Sequence, residues 1–191
     1  MTQEPLASQL SGTVEVDETY FGGKSKNMHA KVRAEKIQGR GAVNKEAVVT
    51  LVERDGRVKT THVERVTGDN VIEVLRKNVS AEAHIHTDES TVYNDVAKEF
   101  AAHESVNHKA GEYVRGDVTV NTSESVHALM KRGVIGVYHH WSVQHLHRYC
   151  TEFDFRFNRR KMMDGERTIE AIKSVEGKRL YYKDPVKRAE E

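Results

Sequence analysis

The sequence predicts an α/β fold built around a mixed sheet, and three observations predict it. Thr13 to Phe21 alternates strictly, with Val14, Val16, Glu18 and Tyr20 on one side of a strand and Thr13, Glu15, Asp17 and Thr19 on the other. Glu46 to Glu53 and Arg57 to Val66 flank an Asp55-Gly56 pair, a strong hairpin signal, so three consecutive antiparallel strands are expected. Gly68 to Val79 then sets Val71, Ile72, Leu75 and Val79 on one helical face, and the run from about Ala83 to Thr87 reads as a further strand leading into Asp88.

The elements follow in order. Residues 1–12 have no hydrophobic period and read as a disordered leader. Gly22 to Gly41 carries six basic residues, Lys24, Lys26, Lys31, Arg33, Lys36 and Arg40, against Glu35, with four glycines, and reads as a long mobile loop able to meet a polyanion. A short helix is expected from about Thr91 to Ala102 on Val92, Val96 and Phe100, then a weak strand at Val106 to His108. Ala110 to Val120 reads as a loop in which Tyr113 and Arg115 are candidate phosphate contacts, although an exposed Arg-Gly turn is the commoner explanation.

A helix from about Thr122 to Arg132 puts Glu124, Ala128 and Lys131 on one face, extended to the helix start by Asn121. Asn121 followed by Glu124 is also a capping pattern, and Gly133 after Lys131-Arg132 reads as a helix stop. A second helix over Ser142 to about Asn158 carries Leu146, Tyr149, Cys150, Phe153 and Phe157 as its apolar stripe. Beyond Lys161 the patterning supports only a short docking helix around Ile169, Ile172 and Val175, and a tail.

Composition narrows the function. At 191 residues and 37% hydrophobic content, one substantial core is expected. No apolar run approaches a membrane span, the N-terminus lacks signal-peptide regions, and Cys150 is the single cysteine, so the expectation is a cytoplasmic protein without disulfides or a cysteine zinc site. His139, His140, His145 and His147 have no cysteine beside them to complete a structural zinc pattern. What remains distinctive is a pair of acids on separate strands, Asp17 and Asp88, the arrangement a divalent metal site needs. Taken alone, an Asp at a strand end is more often a turn or helix cap than a metal ligand.

Five separated motifs carry a family resemblance: VEVDETYFGGK at Val14 to Lys24, HTDES at His86 to Ser90, NTSES with LMKRG between Asn121 and Gly133, GVYHH at Gly136 to His140, and EFDFRFNRR at Glu152 to Arg160. In order and spacing the chain resembles the DDE-type insertion-sequence transposases of the ISXO-two-like group, from about Gly12 to Arg159. The resemblance implies a ribonuclease-H-like fold with the first and fourth strands adjacent, and a catalytic domain over residues 13–160 followed by a C-terminal helix and tail. It implies that Asp17 and Asp88 are the first two catalytic acids, that Asn121 stands at the third position, and that Lys131 follows it as in related branches.

Cleavage and strand transfer at DNA ends by two Mg²⁺ ions, with Mn²⁺ as a substitute, is the expected chemistry. Asp17, Asp88 and Asn121 would hold the ions, with Glu124 competing for the third place, while Glu15 and His86 share strand faces with the two acids and would support them from behind. Lys24, Lys26, Lys31, Arg33, Lys36, Arg40, Arg115, Lys131 and Arg132 are the expected DNA contacts, and assembly of copies on DNA is expected. Only sixteen residues precede Asp17, from which a separate end-recognition module is not expected. The rival readings are a nuclease of the same fold that cannot join strands and an inactive DNA-binding remnant of a mobile element.

The basic segment has few apolar neighbours, so neutralising Lys24, Lys26, Lys31 and Arg33 together is expected to weaken DNA binding and flatten its salt dependence while melting changes little. Unchanged affinity in a filter-binding titration would mark these charges as mere solvated surface.

Overall fold

A computed structural model of the chain describes residues 8–23, 27–36, 45–107, 110–112 and 114–177. Its sheet has five strands: β1 (Thr13–Phe21), β2 (Glu46–Glu53), β3 (Val58–Val63), β4 (His84–Asp88) and β5 (Ala102–Val106). They lie in the order β3-β2-β1-β4-β5. β1, β2 and β3 form the expected antiparallel meander, while β4 joins β1, and β5 joins β4, in parallel. The fold is a ribonuclease-H-like mixed sheet with β1 at its centre.

Helices cover both faces. α1 (Ala30–Lys36) precedes β2, and α2 (Gly68–Asn78) packs Val71, Ile72 and Leu75 against Val14, Val16, Val49 and Leu51. On the other face, α3 (Asn121–Gly133) and α4 (Leu146–Asn158) lay Val126, Met130, Leu146, Cys150 and Phe153 over Phe21, Val48 and Val52. β2, covered on both sides, is buried from Ala47 to Val52, which is why it reads as a nearly continuous apolar run. α5 (Asp164–Lys173) follows, with Ile169 and Ile172 exposed. Among the described residues no helix is long and apolar enough to cross a membrane.

Several local expectations are corrected. The Gly22–Gly41 segment is not all loop, because Ala30 to Lys36, rich in good helix formers, makes α1. Lys24, Lys26 and Arg40 lie outside the described residues, as does Tyr113. The expected helix over Thr91–Ala102 is instead two short 3₁₀ turns, Thr91–Tyr93 and Val96–Lys98, and the fifth strand begins at Ala102 rather than Val106. Its mixed polarity, an edge strand's pattern, concealed it. Residues 8–12 are not a free leader: Leu10 is fully buried and bonds Asn78 and Ser80 through its backbone.

Gly133 does not stop α3 either. Its φ of −59° is helical, and the chain continues through a π-turn, Val134–Tyr138. A Cβ at Gly133 would collide with the ring of Phe153, so the glycine serves the close approach of α4. The chain turns only at His139, at φ 59°.

α4 also closes the open edge of the sheet. Asn158 accepts the Val58 amide at 2.7 Å and donates to the Val58 carbonyl at 3.0 Å, while Asp154 accepts the Thr60 amide at 3.0 Å and the Thr60 hydroxyl at 2.8 Å. Two side chains one helical turn apart thus satisfy β3 as a sixth strand would. Burial pushes the Asp154 carboxyl up to about 7 against the pull of the Thr60 donors and Lys59. Because the folded value lies above the unfolded one, this group favours the folded state most at acid pH, and that contribution is lost as pH rises from about 4 through about 7. Between pH 5 and 8 the wild-type melting temperature is expected to fall relative to Asp154→Asn, which keeps an acceptor for Thr60 without a titrating proton. Parallel pH profiles for the two proteins would refute this.

Candidate active site

Asp17 and Asp88 are brought together by strand register. β1 and β4 pair in parallel from Thr13↔His84 to Glu15↔His86. The paired stretch ends there; two residues further along each strand stand Asp17 and Asp88, the last residue of β4, which by the strand alternation share the sheet face of Glu15 and His86, and the charges of both reach Glu18. Oδ1 of Asp17 accepts the Glu18 amide at 2.8 Å, and Oδ1 of Asp88 accepts the Ser90 amide at 2.9 Å. The turn-capping role weighed from the sequence is therefore also present at Asp88.

Glu15 does more than stand behind Asp17. It is fully buried, and its Oε2 accepts the backbone amides of Thr122 at 2.8 Å and Ser123 at 3.2 Å, while Oε1 accepts the Thr122 hydroxyl at 3.0 Å. A carboxylate from the sheet thereby caps α3, where negative charge meets the positive end of the helix dipole. This corrects the Asn121 capping expectation: Asn121 is the first helical residue, and Val120 before it has no side chain able to cap. Asn121 bonds Thr119 through its amide and Ser125 through its carbonyl, and is exposed one residue from the Glu15 anchor. Glu124, Lys131 and Arg132 are exposed too, because Ser123, Val126, His127 and Met130 form the face against the sheet.

Arg54 joins Glu15 to His86, with Nη2 3.6 Å from the Glu15 Oε1 and 3.4 Å from the His86 Nδ1. Burial, and then Arg54, push the His86 imidazole down, so it stays neutral beside the guanidinium. Of the expected DNA contacts, Lys31 and Arg33 are exposed on α1, and Arg115 is exposed at a tight turn closed by its bridge to Val118. Lys36 ends α1, but its side chain lies outside the description.

Two neighbours of the acid pair were missed. Glu18, on the opposite face of β1, accepts the hydroxyl of the fully buried Tyr93. Burial raises its pKa, and the charges of Asp88 and Asp17 raise it further, so three carboxyls sense one another around the end of β4. His127 was missed because the helix was read by its polar stripe; the available signal was a lone histidine between Val126 and Met130 on the buried face. It lies 3.4 Å from Asp17. Among the described residues no three His, Cys, Asp or Glu side chains converge as a ready-made metal cage.

Replacing Glu15 by Ala would leave two helix-start amides without their acceptor, at a cost of about 2–4 kcal/mol. Glu15→Gln, which keeps one acceptor oxygen, is expected to cost less. Urea titrations compare them, and amide exchange at Thr122 and Ser123 should accelerate first in the Ala variant.

The chain matches the ISXO2-like transposase domain over residues 9–158. It is similar as well to a Halobacterium salinarum protein described as an uncharacterized protein in transposable element ISH50, with 29% identity over 155 residues, 77% of this chain and 52% of the relative. The chain thus spans about half the length of the curated relative it matches. With most of its length inside one transposase domain, and with the sheet and acid pair in the order the motifs implied, the chain belongs to the ISXO2-like transposase domain family.

Proposed function

We propose that residues 13–160 form the catalytic domain of an insertion-sequence transposase that cuts DNA at element ends and joins it to target DNA, with residues 161–191 as an accessory helix and tail. The family is one of DDE-type nucleotidyl transfer enzymes. The observation that supports the reading is the parallel pairing of β1 with β4 up to Glu15↔His86, two residues before Asp17 and Asp88 on their strands. Oxygen donors on two strands suit a hard divalent cation.

Asp17 and Asp88 would hold the ions, Mg²⁺ with Mn²⁺ as substitute, and Asn121 would add a neutral oxygen from the start of α3. Bound there, the metal supplies activation of the attacking oxygen and charge stabilisation at the leaving one. The protein's own part is to orient and to bind. The Glu15 anchor restrains Asn121 relative to β1, Lys131 and Arg132 offer charge to a DNA phosphate from the exposed side of α3, and Lys31, Arg33 and Arg115 extend the basic surface. Glu124, one turn beyond Asn121, is the competing third ligand, and the exposure of both residues leaves each accessible to an ion. Activity as copies assembled on DNA, in the cytoplasm, completes the reading.

The test is a nicking and strand-transfer assay on element-end DNA. Asp17→Ala and Asp88→Ala are expected to lose more activity than the roughly 100-fold typical of losing an outer-shell partner, with Asn121→Ala close behind and Asn121→Asp partly active. Normal cutting by Asn121→Ala with a dead Glu124→Gln would move the third ligand to Glu124. Nicks without joined product would identify a nuclease, and neither product an inactive remnant.

A further inference from the structure

We propose that His127 is a positioning residue for Asp17, itself held by Thr50, so that a three-residue relay across β2, α3 and β1 sets the orientation of the first candidate metal ligand. The inference rests on the assignment of Asp17 as a ligand. Asp17 and Thr50 are direct cross-strand partners in the β1–β2 ladder. His127 descends between them from α3, 5% exposed, with Nε2 2.9 Å from the Thr50 hydroxyl and Nδ1 3.4 Å from Oδ2 of Asp17.

The chemistry of the partners assigns the tautomer. A carboxylate only accepts, so a favourable approach to Asp17 requires a proton on Nδ1; in the neutral ring Nε2 is then an acceptor, and the Thr50 hydroxyl donates to it. Thr50 is fully buried. Asp17 thus meets a backbone donor at Oδ1, the Glu18 amide at 2.8 Å, and the His127 ring at Oδ2. Metal-binding carboxylates are commonly oriented by such outer partners, whose loss weakens the site without removing a ligand.

Packing alone does not account for the pair. The neighbouring buried positions of the helix hold Val126 and Met130, and an apolar side chain at position 127 would fill the same layer without bringing a polar ring into it. A polar residue there is explained by what it holds.

The experiment is calorimetric titration of the full chain with Mn²⁺ in the absence of DNA, together with thermal melting without metal. His127→Leu is expected to bind Mn²⁺ roughly 10–100-fold more weakly while melting no lower than wild type. His127→Asn, whose amide N–H falls near the place of Nδ1, should recover part of the affinity. Thr50→Val should weaken binding by a smaller factor, and should add nothing in the His127→Leu background. If His127→Leu fails to fold, Thr50→Val decides. Asp17→Asn separates the two levels of the reading. Loss of binding in Asp17→Asn beside wild-type affinity in His127→Leu and Thr50→Val overturns the relay and leaves the ligand assignment intact. Wild-type affinity in Asp17→Asn removes the ligand assignment, and the relay falls with it.

Discussion

The hydrogen bonds that the start of α3 donates to the Glu15 carboxylate are the constraint on which the candidate site depends. A helix start carries unsatisfied amides and partial positive charge, and a buried carboxylate has to be paired. Each solves the other's problem here. The consequence is geometric: a helix that follows β5 by a stretch containing a tight turn at Arg115 is fixed two strand positions from Asp17. Arg54 completes the balance of charge and carries it on to His86, so the residues beneath the acid pair form one connected network.

The second organising contact is the way α4 clasps the sheet. Asp154 and Asn158 bond the β3 backbone, and the aromatic cluster around Trp141 fills the space between α4 and the end of β1. Trp141 stacks on Tyr149 at 4.9 Å and lies 4.7 Å from Phe21, which ends the strand carrying Asp17. Cys150 is enclosed in this layer, where burial pushes its thiol up to about 12, so it behaves as an apolar filler. The EFDFRFNRR motif therefore has a mechanical role: it supplies the groups that hold β3 and the outer helix together.

The charges of Asp17 and Asp88 act on a third carboxyl, Glu18. It is tied to Tyr93 and disfavoured as an anion by burial and by both acids. Such crowding is retained in proteins at sites that bind cations or run acid–base chemistry, although structural ion networks also produce it. In this chain the crowding sits near the end of β4, where Tyr93 donates to Glu18 on one face of β1 and His127 lies against Asp17 on the other.

By itself the sequence determined the strands around Asp17 and Asp88, the Asp55-Gly56 hairpin, α2 and the apolar stripe of α4, because each is a local pattern written in period 2, period 3.6 or turn chemistry. The adjacency of β1 and β4, which no local pattern contains, was implied only by the family resemblance. Tertiary structure alone decided that Glu15 rather than Asn121 caps α3, that Gly133 makes room for Phe153 rather than ending the helix, and that Ala102 to Val106 is an edge strand. It decided, too, that His127 rather than Glu124 points into the sheet. A carboxylate over a hundred positions away in sequence can satisfy a helix start as well as the preceding residue can. Which partner does so depends on packing between elements, and that information lies in no single segment.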